Sequence, residues 1–305
     1  MYLETFDLQK KVVIDSRKID SGVSSILLQR NGNLLFLFRE EPDEFKRLHE
    51  IVEYNPRNHR SHVYIKHESA TPQKALVTDT HQYFLFDNII GSKKYIQKHP
   101  KLVPYQMAGV EVYSNVAKPI LTNIIRMGEF DWVEGLDLNR DKTMLYLTVY
   151  PMAFINKQGV YINNNNGESF LYTVDLKSNK IIQKKNLSHS LRGIESVKTV
   201  GEKLYITALF KNTHKHTYGG EDPSQLNKDL FVFNAKTLKL IKKFHLEGMA
   251  RDIYSVPEDH RLFVFHEGTL GSNQSAVTVV DTDKDKSIGL FNITKLRKIS
   301  YVGCH

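Results

Sequence analysis

The chain of 305 residues contains one cysteine, Cys304, so no disulfide can form within it. No uninterrupted apolar run approaches the ~20 residues that a helix needs to cross a bilayer. Residues 1–15 lack the apolar core of a secretory signal peptide. These absences predict a cytoplasmic protein with no membrane span. The alternative is a secreted protein from which a signal peptide has been removed.

Several familiar catalytic motifs are also missing. The sequence has no Gly-rich phosphate loop, no Cys-x-x-Cys pair, no His-Glu-x-x-His and no Gly-x-Ser-x-Gly. The chemistry that depends on those motifs, at phosphate loops, zinc sites and nucleophile elbows, has no sequence support here.

Charge is moderately basic, with 42 Lys and Arg against 34 Asp and Glu, a formal net charge of +8. The paired lysines are spread along the chain rather than gathered in one run, at Lys10-Lys11, Lys93-Lys94, Lys184-Lys185 and Lys242-Lys243. Scattered pairs do not make the continuous basic stripe that follows a phosphate backbone. The pattern therefore predicts that nucleic acid is not a partner.

A first hairpin pattern occurs four times along the chain. Each copy has a β-rich strand, an Asp or Asn, a polar turn and a second strand carrying lysines. An Asp or Asn side chain caps the backbone of such a turn. The four capping residues are Asp7, Asp175, Asn234 and Asp281.

A second hairpin type alternates with the first, and its clearest copy turns at Asn31-Gly32, a strong signal for a two-residue hairpin. Its anchor residues recur at intervals of roughly 50–60 residues. They are Leu34, Tyr83, Leu145, Leu204 and Leu262. Two hairpins per interval make a four-stranded unit, and repeated four-stranded units are typical of a β-propeller. We expect residues 1–305 to form a single all-β propeller domain.

The two ends of the chain suggest how the ring closes. Residues 2–14 form a hairpin of the first type, whereas residues 298–302 form a single strand of the second. A ring can close by building one blade from both termini. The prediction is therefore six four-stranded blades with a composite closing blade, and five or seven blades are the alternatives. Lysines on the outermost strands would protect exposed sheet edges from aggregation.

The loops between second and third strands are the long ones, at residues 39–47, 88–108, 150–169, 211–229 and 267–275. Propeller topology gathers these loops on one face, which is where sites usually lie.

Aligning the repeats places one column of residues at the entrance to the inner strands, namely Ser24, Glu134, Glu195, Asp252 and Ser300. Carboxylates that converge repel one another unless a cation or a proton joins them. Glu134, Glu195 and Asp252 are therefore candidate ligands for a divalent cation, Ca²⁺ or Mg²⁺. The alternatives are that they are solvated or that each pairs with a neighbour such as Arg192 or Arg251.

His266 follows the apolar strand at residues 262–265 and begins a loop on the same face. An unperturbed imidazole titrates near neutral pH, which suits a general base. His266 is thus the candidate catalytic residue, and an ordinary polar position at a strand end is the alternative.

The stretch from Trp132 through Glu134-Gly135, followed by Leu145-Tyr-Leu-Thr148, resembles the Glu-Gly element of gluconolactonase-like, calcium-dependent six-bladed hydrolases. That resemblance implies a metal-ligand role for Glu134. Leu136 and Leu138 stand where that family usually has proline and tryptophan. The repeat as a whole resembles the broad propeller superfamily with tyrosine-valine-threonine-asparagine repeats, which specifies a fold rather than a reaction.

Two functions follow from these features. The first is a propeller that binds a small molecule or peptide, with a protein partner as a further option, at the channel mouth and the long-loop face. The alternative is a metal-dependent hydrolase, lactonase or lyase in which Glu134, Glu195 and Asp252 hold the ion and His266 or a metal-bound water transfers protons. The sequence does not decide between an enzyme and a binding protein.

Overall fold

The structure is a computed structural model of the chain. It describes residues 2–7, 12–18, 23–29, 31–38, 50–66, 70–88, 108–116, 118–127, 131–151, 154–155, 161–162, 168–187, 191–210, 227–256, 260–267 and 274–294. All the regular elements in these ranges are β-strands, so the prediction of an all-β fold is confirmed.

Twenty strands form five antiparallel four-stranded sheets, here called blades 1 to 5. Blade 1 holds β3 (Val23–Leu28), β4 (Leu34–Phe38), β5 (Glu50–Asn55) and β6 (Arg60–Lys66). Blade 2 holds β7 (Ala70–Val77), β8 (His81–Asn88), β9 (Ala108–Ser114) and β10 (Leu121–Arg126). Blade 3 holds β11 (Asp131–Leu138), β12 (Met144–Pro151), β15 (Phe170–Asp175) and β16 (Lys180–Asn186).

Blade 4 holds β17 (Arg192–Val200), β18 (Lys203–Phe210), β19 (Asp229–Asn234) and β20 (Leu240–His245). Blade 5 holds β21 (Met249–Val256), β22 (Arg261–Glu267), β23 (Gln274–Asp281) and β24 (Lys286–Thr294). A short hairpin of β13 (Phe154–Ile155) and β14 (Tyr161–Ile162) lies within the long connection of blade 3.

The predicted blade count is wrong. The propeller has five four-stranded blades rather than six, and no composite blade is present among the described residues. The N-terminal strands β1 (Tyr2–Asp7) and β2 (Val12–Lys18) pair with each other as a two-stranded sheet. Residues 298–302, expected to complete that blade, lie outside the described residues. Alternating apolar residues predict a strand, but tertiary packing decides which strand it pairs with.

Each blade is a meander in which consecutive strands of the sheet are neighbours, and the first strands of adjacent blades lie against each other. The first strand is therefore the innermost and the fourth is the outer edge. Apolar side chains from facing blades meet in the seams between them, as where Leu85 and Val110 of blade 2 pack with Val133 and Leu147 of blade 3. These seams make a rigid frame around the centre of the ring.

The predicted Asx caps are confirmed at three of the outer hairpins. Asp175, Asn234 and Asp281 each accept hydrogen bonds from backbone amides two and three residues later. The residue four positions after each cap has a positive φ, which closes the turn; these are Asn179, Leu238 and Asp285. The same geometry recurs in blade 1, where the sequence analysis did not single it out, with Asn55 as the cap and His59 at positive φ.

Candidate functional site at the channel mouth

One backbone irregularity recurs in every blade. The pairing of the first and second strands shifts by one residue near the start of the first strand. The unpaired residues are Ser24, Gln73, Glu134, Glu195 and Arg251. A β-bulge inserts one residue, bends the strand and re-aims its side chains. The repeat therefore places a ring of bulges around the centre of the propeller.

The bulges refine the alignment expected from the sequence. Glu134 and Glu195 occupy equivalent bulge positions, as predicted, and so does Ser24. In blade 5 the bulge residue is Arg251, and Asp252 lies one position further along the strand. Ser300, the fifth member of the predicted column, lies outside the described residues.

The bulges lie at the end of the channel where the first strands begin and the second strands finish. By antiparallel topology, this end also carries the connections between second and third strands. Most residues of those five long loops fall outside the described ranges. The described part of the channel mouth is thus the ring of inner-strand side chains.

Glu195 contributes a carboxylate to the centre of this ring. Its Oε1 lies 3.3 Å from Arg251 Nη1, and its side chain is 19% exposed. Burial, followed by the charge of Glu134, raises the pKa of Glu195 from 4.5 to about 7, against the opposing effects of Arg251 and Lys74. Asp252 adds to the increase. Glu134 and Asp252 thus both act electrostatically on Glu195.

Lys74 crosses the ring from blade 2. Its Nζ lies 3.6 Å from Asp252 Oδ1 of blade 5 and donates a hydrogen bond of 3.3 Å to the backbone carbonyl of Glu195 in blade 4. Blades 3 and 4 separate blade 2 from blade 5 in chain order, so this contact spans the centre of the ring. Sequence analysis missed Lys74, because nothing in its local pattern distinguishes it from the many lysines elsewhere on strands.

The Glu134 carboxylate is positioned by a residue of its own strand, β11. The indole Nε1 of Trp132 donates a hydrogen bond of 2.7 Å to Glu134 Oε1. The next residue, Gly135, sits in a tight space: a Cβ there would lie 2.6 Å from Thr148 Oγ1 and 3.0 Å from the backbone nitrogen of Val197. The Glu-Gly pair is thus explained by a carboxylate aimed at the ring and a close approach of blades 3 and 4.

The three predicted metal ligands are partly engaged by cations of the chain itself. Asp252 faces the Lys74 ammonium and Glu195 faces the Arg251 guanidinium, so two of the three predicted ligands already contact a cation of the chain. Within the described ranges, no group of three or more His, Cys, Asp or Glu side chains is placed to hold a metal ion. The predicted pairing with Arg251 is confirmed for Glu195, and the metal itself stays a prediction.

His266 lies in a different environment from the carboxylates. It is 4% exposed, and its Nε2 shares a hydrogen bond of 2.6 Å with Thr278 Oγ1 on the adjacent strand. Burial lowers its pKa, which the charge of Glu247 partly opposes. A Cβ at Gly248 would lie 3.0 Å from His266 Nδ1. A glycine at this position therefore provides space for the imidazole of His266. These contacts place His266 inside blade 5, and its catalytic role stays a prediction.

The five recurring four-stranded blades define a β-propeller, and one solved structure has a similar fold. The structure of hydrazine synthase from Kuenenia stuttgartiensis is similar, with a TM-score of 0.59 and 10% identity over 93% of this chain and 71% of that one. Two structures of Hsv2 from Kluyveromyces lactis give TM-scores of 0.46 at 11% identity, over 92% of this chain and 67% and 68% of those chains. The first similarity supports the fold alone.

No protein-family model and no curated protein matches the chain. In the part of the chain that the structure describes, no helix is long and apolar enough to cross a membrane.

Proposed function

We propose that this chain is a binding protein whose propeller holds a small polar molecule or a peptide at the channel mouth. The observation that carries the proposal is the convergence of charges of both signs from four blades, with Lys74, Glu134, Glu195, Arg251 and Asp252 at one level of the ring. Binding sites typically combine a rigid frame with a few convergent polar groups. The seams between blades supply that frame here.

The charges favour a ligand over a purely structural network. Lys74 and Asp252 are both 31% exposed, so solvent reaches the pair. Their separation of 3.6 Å exceeds a hydrogen bond. A partly exposed, loosely held ion pair contributes little to stability. Such groups are available to exchange their partner for a ligand.

A thermal-shift panel tests the proposal. The twenty amino acids, short peptides, dicarboxylates and diamines, each at millimolar concentration, are added to the wild-type protein. A ligand that binds only the folded state raises Tm by mass action. We expect at least one class to raise Tm in the wild type and to lose its effect in Glu195→Gln and Arg251→Gln.

The matched control is Glu202→Gln, which neutralises an exposed glutamate paired with Lys236 elsewhere on blade 4. It should retain the full shift. A compound that stabilises every variant equally binds outside the channel mouth, and a panel without any shift contradicts the proposal.

The metal-dependent enzyme is tested in the same assay with Ca²⁺ and Mg²⁺. Because Lys74 and Arg251 already contact two of the three carboxylates, we expect no Tm increase at millimolar metal. An increase that disappears in Glu134→Gln would instead support the metal-dependent alternative.

A further inference from the structure

The most specific feature of the channel mouth is the environment of the Lys74 Nζ. Within the described part of the chain, it contacts a carboxylate oxygen of Asp252 and the backbone carbonyl oxygen of Glu195. An ammonium group carries three donors and no acceptor, so an arrangement of oxygens of this kind is complementary to it. The oxygens come from blades 4 and 5, whereas the ammonium comes from blade 2. The ring therefore already contains a receptor for an ammonium group, filled by a side chain of the chain itself.

The balance of charge around this receptor also favours a cation. Among the described residues, three acidic side chains, Glu134, Glu195 and Asp252, share the site with two cations, Lys74 and Arg251. Arg251 Nη1 lies 3.3 Å from Glu195 Oε1, whereas Lys74 Nζ lies 3.6 Å from Asp252 Oδ1. Of the two cations, Lys74 is thus the one that an incoming cation can displace at lower cost.

We propose that the channel mouth binds a ligand through a primary ammonium group, which takes the place of the Lys74 ammonium between Asp252 and the carbonyl of Glu195. This inference rests on the proposed binding function and adds the chemical class of the recognised group. Lys74 then acts as an internal competitor that occupies the receptor when no ligand is bound and swings aside when one enters.

Calorimetric titration of the full chain tests this proposal with four simple probes. n-Butylammonium and 1,4-diaminobutane carry the proposed group, and butanoate and succinate are their anionic counterparts. We expect the two amines to bind the wild type and the two carboxylates not to bind.

The sign of the Lys74→Met effect is the decisive result. If an exogenous amine replaces the Lys74 ammonium, removing that competitor should tighten amine binding by about five- to tenfold, because a positive charge a few ångströms away no longer opposes it. If Lys74 instead helps to hold an anion, the same substitution should abolish binding of the carboxylates. Asp252→Asn should weaken amine binding by about tenfold, because it removes the charged acceptor.

Lys142→Met is the matched control. Lys142 pairs with Asp79 at 3.4 Å on an exposed surface, so the substitution removes one lysine of a comparable ion pair elsewhere. It should leave amine affinity unchanged. Lys74→Gln serves as a second variant in case Lys74→Met fails to fold.

The outcomes separate this inference from the function on which it rests. Carboxylate binding that Lys74→Met abolishes overturns the ammonium proposal but leaves a binding site at the channel mouth. Amines that fail to bind both wild type and Lys74→Met also overturn it, and the thermal-shift panel then decides whether the binding function survives.

Discussion

Two lysine ammonium groups in this propeller occupy chemically similar sites with different geometry. Lys203 Nζ lies 2.8 Å from Asp285 Oδ2 and donates a 2.9 Å hydrogen bond to the backbone carbonyl of Thr282. Lys74 Nζ likewise faces one carboxylate and one carbonyl, but at 3.6 and 3.3 Å. The first site is in the seam between blades 4 and 5, whereas the second crosses the centre of the ring.

The surroundings of the two carboxylates explain the difference. Asp285 is 11% exposed and also accepts a hydrogen bond from the buried hydroxyl of Tyr205. Asp252 is 31% exposed and faces a ring of mixed charges. The seam site has short contacts that fix two blades, whereas the central site has longer contacts and is reached by solvent. The same pair of residue types thus serves structure in one place and, as we propose, binding in the other.

The largest expected effect separates these two roles. Lys203→Met leaves the negative charge of Asp285 without its cationic partner in the seam. This substitution should lower the free energy of unfolding by about 3–4 kcal/mol. Lys74→Met removes a partly exposed partner and should lower it by no more than about 1 kcal/mol. Urea denaturation of both variants measures the contrast. Equal losses would contradict the assignment of the two lysines to different roles.

The repeat made most of the fold predictable. Alternating hairpins, Asx caps such as Asn234 and the regular anchors identified an all-β propeller, because these features depend on local pattern. The number of blades was predicted incorrectly because the hairpin at residues 2–14 has the same local pattern as a hairpin inside a blade. Whether it pairs into a four-stranded sheet depends on distant strands, which periodicity does not report.

The candidate site was predictable in part for the same reason. Glu134 and Glu195 occupy equivalent positions in their repeats, so aligning the repeats brought them together. In blade 5 the bulge lies one residue earlier than the sequence alignment placed it, so Arg251 rather than Asp252 occupies the equivalent position. Lys74 could not be found, because its role arises from a contact across the ring and leaves no local signal in the sequence.

The central site makes the stability of the protein depend on pH through Glu195. The pKa of Glu195 is about 7 in the folded protein, raised from 4.5 by burial and by Glu134. A carboxyl group with a raised folded pKa binds protons more tightly when folded, so its contribution to stability is present below about pH 4.5 and is lost as pH rises towards 7.

Glu195→Gln removes this titration. Relative to the wild type, the variant should gain about 2–3 kcal/mol of unfolding free energy between pH 5 and pH 8. Urea denaturation of both proteins across that range measures the difference. Other titrating groups, including His266, largely cancel in the comparison because both proteins contain them. A difference that is flat with pH would show that folding does not raise the pKa of Glu195.

The smallest expected effect lies at Gly135, where the channel mouth meets the seam between blades 3 and 4. A Cβ there would approach Thr148 Oγ1 to 2.6 Å and Val197 N to 3.0 Å, so Gly135→Ala should destabilise the protein by about 1–2 kcal/mol through overpacking. Thr148→Ala removes the nearer atom, and because Thr148 Oγ1 makes no hydrogen bond to any residue that the structure describes, that change alone should cost little. In a double-mutant cycle measured by urea denaturation, Thr148→Ala should therefore recover part of the loss, leaving the contact with the Val197 backbone. Strictly additive losses would mean that Thr148, which pairs with Gly135 inside blade 3, does not limit this position, and that the Val197 backbone of blade 4 carries the overpacking.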